Sequence, residues 1–518
     1  MTTHYDVVII GSGAGGGTLA RALAPTGRRI LVVERGGDIV REAGNWNPAV
    51  VWVEQRYRAK ERWLTPGGEF QPNIHYGVGG NTKFWGAVLY RLREEDFEAT
   101  RHADGESPAW PIAYADLAPY YERAERLYYV HGEAGADPTD PPRGAFPHPP
   151  VPHTEGMRRA FERLHAGGWH PSPLPLGLIR PGEDGGCRLC GTCNSFPCMI
   201  GAKSDAETCG IAPARTRSNL HVATRTLATR LIADPTGRRV VAVEVDADGT
   251  RRRIHGDLFV AACGAVNSAA LLLRSGDPAR GGLANSSGLV GRHYMAHVTT
   301  MYSAFGWKDG NAGPHGFHKT IAINDYYRAA DGCPHPLGHI QSQGALHPEM
   351  ILGGAPERYR RGIAIVRSVA PWSFRYWTDR SMQWLAMTED LPLRENRVTL
   401  RGDRICLSYR PSNMGAHRAL NARVKAVLRA CGAKTAFPVS FGLGNTTHQC
   451  GTLRFGHDPG ASVLDPWCRA HDVDNLFVVD ASFFPSSAAV NPGLTIAAQA
   501  LRVADYIGAH HLGAEIEP

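Results

Sequence analysis

Apolar residues along this chain follow two rhythms: short unbroken runs that end at glycine or an acid, and stretches that repeat every three to four residues. Residues 5–10 are a β-branched run that predicts a buried strand. A helical pattern follows the glycines of 11–16 and runs to Ala24, where Pro25 stops it. A second run over 30–33 ends at Glu34. Residues 257–263 read as a strand leading through Gly264 and Ala265 into a helix over 268–276, and LFVVD, residues 476–480, as a buried parallel strand. A helix beginning near Asp116, with Pro119 in its first turn, places Leu117, Tyr121, Ala124 and Leu127 on one side. Another over 418–431 turns Leu420, Val424, Val427, Leu428 and Cys431 inward. Residues 397–400 suit a strand, 132–153 a Pro- and Gly-rich connection, and 301–440 mixed strands and loops rich in His and Trp. Residues 36–74 give no regular pattern.

Strands alternating with helices predict an α/β fold, and 518 residues exceed what one simple core requires. The net charge of +7 is spread along the chain, with its densest cluster only Arg251, Arg252 and Arg253; a solvated surface is expected and no nucleic-acid partner. No run of 18 apolar residues exists, so no membrane span is expected. YDVVIIGSG follows Met1 too closely for a secretory leader, which gives a cytoplasmic expectation. Eleven cysteines, an odd count in such a chain, argue against a disulfide scaffold.

Candidate chemistry concentrates in four stretches. In Gly11-Ser12-Gly13-Ala14-Gly15-Gly16, Gly11 permits a tight turn, Gly13 lets a pyrophosphate approach the backbone, and Gly16 allows close packing of strand and helix, with the helix N-terminus facing the anion. Glu34, at the end of the next strand, stands where a carboxylate holds a ribose hydroxyl; the bland alternative is a glycine turn without a ligand. The glycines of HYGVGGNTKFWG, residues 75–86, suit backbone packed on a flat ligand or a loop crossing a sheet. Cys187, Cys190, Cys193 and Cys198 form C-x2-C-x2-C-x4-C, whose spacing can hold zinc or an iron-sulfur cluster, or leave free thiols or local bridges in an ordered loop. Finally, His448 in THQCGT and Asn491 between Val490 and Pro492 are polar residues in otherwise apolar or glycine-rich surroundings.

Together these blocks resemble the glucose-methanol-choline (GMC) family of FAD-dependent oxidoreductases. GSGAGGG with Glu34 resembles its ADP-binding motif, HYGVGGNTKFWG and GAVNSAALLLRSG its two signatures, and VVDASFFPSSAAVNPGLTIAAQALRVADYI its closing motif; WPIAYADLAPYY and LPLRENRV are also similar. The resemblance reaches from residue 5 to about 507 and is thin over 132–186 and 301–385. It implies a Rossmann-like FAD-binding domain made of 1–100, 205–300 and 440–518. A discontinuous α+β substrate lobe would comprise 101–204 and 301–439, with a Cys-rich loop at 187–209. Gly11, Gly13, Ala14 and Gly16 would meet the pyrophosphate, Glu34 the adenosine ribose, and Asp480 the ribityl side, with Ala265, Ala481 and Pro492 also at the cofactor. Gly80, Asn81, Thr82, Trp85 and Gly86 would lie along the isoalloxazine.

His448 matches the family's active-site histidine, and Asn491 its second position, a pair similar to that of pyranose oxidases and cellobiose dehydrogenases. Where fungal pyranose oxidases attach FAD through a histidine, this chain has Phe84, so noncovalent FAD is expected. CNSFPCMIGAKSDA is similar to a segment of bacterial sorbitol and glucose dehydrogenases whose cysteines can hold an iron-sulfur cluster, although the cysteine spacing differs. The expected chemistry is oxidation of a secondary hydroxyl of a pyranose sugar or glycoside. Neutral His448 takes the proton, the flavin takes the hydride, and oxygen or another acceptor restores FAD. An electron-transferring sugar dehydrogenase, a hydroxynitrile-type lyase and a noncatalytic flavin-binding protein are the alternatives.

Overall fold

The computed structural model describes residues 4–277, 281–306, 316–329, 332–355 and 357–516. Its larger sheet has seven strands. His4–Ile10 lies at the centre, parallel to Ile30–Val33 on one side and to Thr250–Ala261 on the other. Leu220–Ala223 extends the sheet beyond Ile30–Val33, and Leu476–Val478 pairs in parallel with the far end of Thr250–Ala261. The near end of that long strand folds back on Val240–Ala247, which pairs with Thr226–Ala233. This antiparallel pairing is why the strand expected at 257–263 begins at Thr250: arginines 251–253 form the exposed half of a hairpin, where hydrophobic patterning gives no signal. Val7, Val8, Ile9, Val32, Phe259 and Val260 are all buried, as a parallel sheet covered on both faces requires.

The helix Ala14–Leu23 packs against Gly493–Ile507, and Tyr114–Leu127 packs against the latter's far side. Glycines let the first of these helices sit close against the ends of the sheet strands: a Cβ on Gly15 would fall 1.9 Å from the carbonyl oxygen of Val479, just past Leu476–Val478, and one on Gly16 2.0 Å from that of Gly11. Tyr114–Leu127 begins two positions ahead of Asp116, whose carboxylate accepts from the backbone N–H of Ala113 at 2.9 Å. Its residues Leu117, Tyr121 and Ala124 are buried. Ala265–Arg274 likewise starts earlier than the expected 268, directly after Gly264.

The second sheet has six strands in the order Thr435–Ser440, Val298–Phe305, Ser381–Thr388, His339–Ser342, Ile321–Ile323 and Pro171–Pro173. One face carries Tyr302, Ala304, Ile321, Ile323, Ile340, Met382, Trp384 and Ala386, and packs on the helices Glu155–Ala166 and Met414–Cys431. All five residues expected to face inward on the latter helix are buried. Because side chains alternate, Ser172, Gln341, Gln383, Ser303 and Thr299 fall on the opposite face.

Two regions depart from the sequence reading. Residues 36–74 contain the short strands Trp63–Thr65 and Gly68–Phe70, which complete a small sheet with Arg397–Arg401 and Arg404–Ser408. The stretch read as mixed strands and loops includes the helices Pro348–Gly354, Glu357–Val369 and Pro371–Asp379. Proline and a mostly exposed surface mask their periodicity. Among the described residues no helix is long and apolar enough to cross a membrane.

Candidate active site

The glycine turn after His4–Ile10, the stretch 79–86 and the loop before Ala265–Arg274 converge at one edge of the large sheet. Ser12 donates to Glu34 through its backbone N–H at 3.1 Å and its hydroxyl at 2.6 Å, and Gly36 N–H donates to the other carboxylate oxygen at 2.8 Å. Burial raises the Glu34 pKa, and these hydrogen bonds oppose the rise. Gly79 N–H reaches the Ser12 hydroxyl at 3.0 Å, and Gly80 lies so close that a Cβ there would stand 3.3 Å from the Cα of Gly13. A Cβ on Gly13 or Gly264, by contrast, would meet nothing within 4 Å. These two glycines therefore border open space beside the N-terminus of Ala14–Leu23, a cradle that fits a dinucleotide pyrophosphate.

Asp480 is committed within the protein. It accepts from Gly264 N–H at 3.0 Å, from Ser482 N–H at 2.9 Å, and from the hydroxyls of Ser268 and Ser482. It thus ties the second glycine turn to the closing segment, and Ala265 is bound there too, its carbonyl accepting from Thr452 at 2.6 Å. Ala481 accepts from Gly451 N–H at 3.1 Å. Asn81 receives the N–H of His75 at 2.9 Å, and Thr82 receives that of Ala206 at 2.9 Å. The indole N–H of Trp85 is buried without a partner, and its ring stands where a Cβ on Gly493 would go. Pro492 caps the helix that follows.

His448 and Asn491 meet at this edge. The amide nitrogen of Asn491 lies 3.4 Å from Nε2 of His448, while its Oδ1 is buried with no partner. His448 holds a φ of 58°, the left-handed region that a side chain enters at a cost, and such strain gathers at functional sites. Nδ1 of His448 lies 2.8 Å from Nδ1 of His297, and Nε2 of His297 lies 3.1 Å from the carbonyl oxygen of Ser487. A carbonyl only accepts, so His297 carries its proton on Nε2 and presents a lone pair at Nδ1. His448 must donate from Nδ1, which leaves Nε2 unprotonated and turned to Asn491. Burial lowers the His448 pKa well below 6.5, and His297, Lys319 and His339 lower it further.

No motif marks His297 or Lys319 in the sequence. His297 lies just ahead of the strand Val298–Phe305 and belongs to no motif; a histidine at the mouth of an apolar strand was the only available signal. Lys319 is buried, its pKa lowered to about 8 chiefly by burial, and donates to Asn194 at 3.0 Å. Its ammonium occupies the place a Cβ on Gly86 would take, at 1.9 Å.

The four clustered cysteines lie beside this site and influence one another electrostatically, yet all are free thiols. Among the described residues no three His, Cys, Asp or Glu side chains converge to hold a metal ion. The loop is fastened to residues 84–85 instead, through Ser195 N–H to Phe84 O at 2.9 Å and through Lys203, which donates to the carbonyls of Trp85, Cys193 and Phe196.

Comparison with known proteins bears on this arrangement. The family description GMC oxidoreductase matches residues 169–299 with its N-terminal part and 423–500 with its C-terminal part. The chain is 31% identical to 6'''-hydroxyparomomycin C oxidase of Streptomyces lividus over 98% of its own length and 92% of that protein. The chain belongs to the GMC oxidoreductase family. A second relative, paromamine 6'-oxidase of Streptomyces fradiae, is 32% identical over 96% of this chain and 90% of its own. The fold is that of pyridoxine 4-oxidase from Mesorbium loti, with a TM-score of 0.68 at 20% identity, covering 98% of this chain and 100% of that one. GMC oxidoreductases are FAD-binding flavoproteins acting on CH–OH groups, and the glycine cradle described above suits that cofactor.

Proposed function

We propose that this GMC oxidoreductase oxidises a secondary hydroxyl of a pyranose sugar or glycoside to the keto-sugar, with His448 as base, Asn491 as its partner and FAD held noncovalently. The observation that carries the reading is the unprotonated Nε2 of His448, its tautomer fixed by His297 and its open side shared with Asn491. His448 takes the hydroxyl proton at Nε2. Asn491 donates an N–H to the same oxygen and fixes its orientation, so the carbinol hydrogen faces the cofactor. FAD, when bound, supplies the two-electron acceptor. In this reading the cofactor lies across 1–100, 205–300 and 440–518. Gly11, Gly13, Ala14 and Gly16 would hold the pyrophosphate, Glu34 the ribose and Asp480 the ribityl side by way of the Gly264 turn it fastens, with Ala265, Ala481 and Pro492 also at the cofactor, while Gly80, Asn81, Thr82, Trp85 and Gly86 would line the isoalloxazine. Phe84 stacks on His75 with ring centroids 3.8 Å apart and has no atom able to bond the flavin, which supports noncovalent binding.

The second sheet, with parts of 101–204 and 301–439, would form the substrate lobe. Its polar face supports a hydroxylated substrate: Ser172 Oγ, Gln341 Nε2 and Gln343 Oε1 are buried without partners, and His339 on the same face reaches His448 electrostatically. The names of the two Streptomyces relatives favour a second reading, oxidation of an amino sugar. Among the described residues the strands of that face carry amides, hydroxyls and the imidazole of His339, with the cation of Lys319 nearby and the Glu389 carboxylate beyond them taken up by His102 and Ser107, which suits a neutral sugar better than a polycation.

The test is anaerobic addition of glucose, a neutral glycoside, paromamine, choline and a sterol to the yellow protein, followed by air. Bleaching by a neutral sugar with rapid return of colour is expected. Bleaching by paromamine alone moves the substrate to the amino-sugar reading. Bleaching without return, together with iron in the protein, favours a dehydrogenase using the cysteine loop, and no bleaching by any alcohol overturns the redox reading.

A further inference from the structure

The base described above does not stand alone, and its partner is placed to do more than orient it. His297 accepts from His448 at Nδ1 and donates to Ser487 O at Nε2, so a hydrogen-bonded line runs from the open side of His448 to a backbone carbonyl. We infer that His297 is a positioning residue that also takes up the reaction's proton: as the substrate O–H breaks and Nε2–H of His448 forms, Nδ1–H of His448 breaks and Nδ1–H of His297 forms. The electron pair of the carbinol C–H bond leaves as hydride, the proton's charge comes to rest on His297, and His448 ends neutral in its other tautomer. This inference rests on His448 being the base.

The surroundings decide which ring holds the charge. His448 faces His297, Lys319 and His339, all of which disfavour a cation there. His297 is also lowered by burial, but the Ser487 carbonyl and the carboxylate of Glu389 oppose that lowering. Glu389 is ionised: despite burial, its bonds from His102 and Ser107 hold its pKa below the ordinary range. A positive charge is therefore better placed on His297, one ring further from Lys319's influence and nearer an anion. Two imidazoles in contact bind one proton far more readily than two, so the pair titrates as a unit.

The test uses the FAD-loaded protein and two variants. His297→Gln offers a carboxamide oxygen to Nδ1–H of His448 but cannot be protonated, whereas His297→Leu removes the acceptor as well. Nitrogen-15 spectra of the histidines in the oxidised, substrate-free wild type are expected to show Nδ1–H on His448 and Nε2–H on His297. His297→Gln should keep that His448 signature and its FAD, yet reduce flavin about 10-fold or more slowly, with the acid limb of the pH profile moved to lower pH. His297→Leu should lose the signature too. A wild-type rate and pH profile in His297→Gln would overturn the inference, as would a wild-type His448 protonated at Nε2, a result that stands even if the variants fail to fold. Should His448→Ala reduce flavin as fast as wild type, it is the base assignment that fails instead.

Discussion

At the scale of single residues, the proposed base has its protonation state set in advance. An ordinary histidine is partly charged near pH 6.5, and a charged imidazole cannot accept a proton. Burial and three cationic or potentially cationic neighbours keep His448 neutral well below that value. The rate of flavin reduction should therefore stay flat as pH falls from 7.5 through 6.5 and decline only in more acidic solution, measured by stopped-flow bleaching across pH. Removing the imidazole in His448→Ala should slow reduction by about 10²–10⁴-fold while leaving the bound-flavin absorbance intact. Asn491→Ala should cost about 10²-fold, the penalty of a misplaced reacting group, in the same assay.

Elements meet at the site through one brace. Asp390, at the end of Ser381–Thr388, accepts from Ala296 N–H and Tyr409 OH at 3.0 Å and from Ser412 N–H at 2.9 Å, and its backbone N–H donates to Ser487 Oγ at 3.1 Å. It thus joins the segment before His297 to the loop whose carbonyl fixes that ring. Burial pushes the Asp390 pKa up to about 6, against an unfolded value of about 3.9. Between those values the native state binds more protons than the unfolded chain, so this group lowers stability as pH rises from about 4 to about 6 and adds nothing below. Asp390→Asn removes that dependence. The stability of wild type minus variant, followed by urea unfolding, should fall over this window by on the order of 2–3 kcal/mol.

Across the whole molecule, two cores carry separate tasks. One holds the glycine cradle, and the other backs the sheet whose polar face is proposed to meet substrate. Leu420 is fully buried under that second sheet, away from the cradle. Leu420→Ala should lower unfolding stability by about 2–5 kcal/mol through the cavity it leaves. The absorbance of bound flavin and its retention on dilution should be unchanged at 25 °C, and loss of flavin in the folded variant would show that the two cores are one unit.

The sequence by itself determined the parts whose cause is local. The turn at Gly11–Gly16, the strands at 4–10 and 30–33 and the closing helix follow from glycine spacing and apolar periodicity, and the pairing of His448 with Asn491 was legible because both sit in motifs. The helices at 348–379 escaped because Pro348 and Pro371 read as breaks and their apolar residues, Ile365, Val369 and Trp372 among them, stay exposed and so mark no buried face, and the hairpin half at 250–256 escaped because its arginines are exposed. Tertiary structure alone decided what depends on distant segments meeting. His297 reaches His448 across 151 residues of sequence, and Lys319 fills the space that Gly86 leaves open. The cysteine spacing allowed a metal; folding brought the thiols near one another, no metal-holding group of three forms among the described residues, and the loop is fastened to residues 84–85 by Ser195 N–H and Lys203. Periodicity reports which face of an element is buried; which polar atoms then face each other, and which proton each can hold, is settled only when the chain has closed.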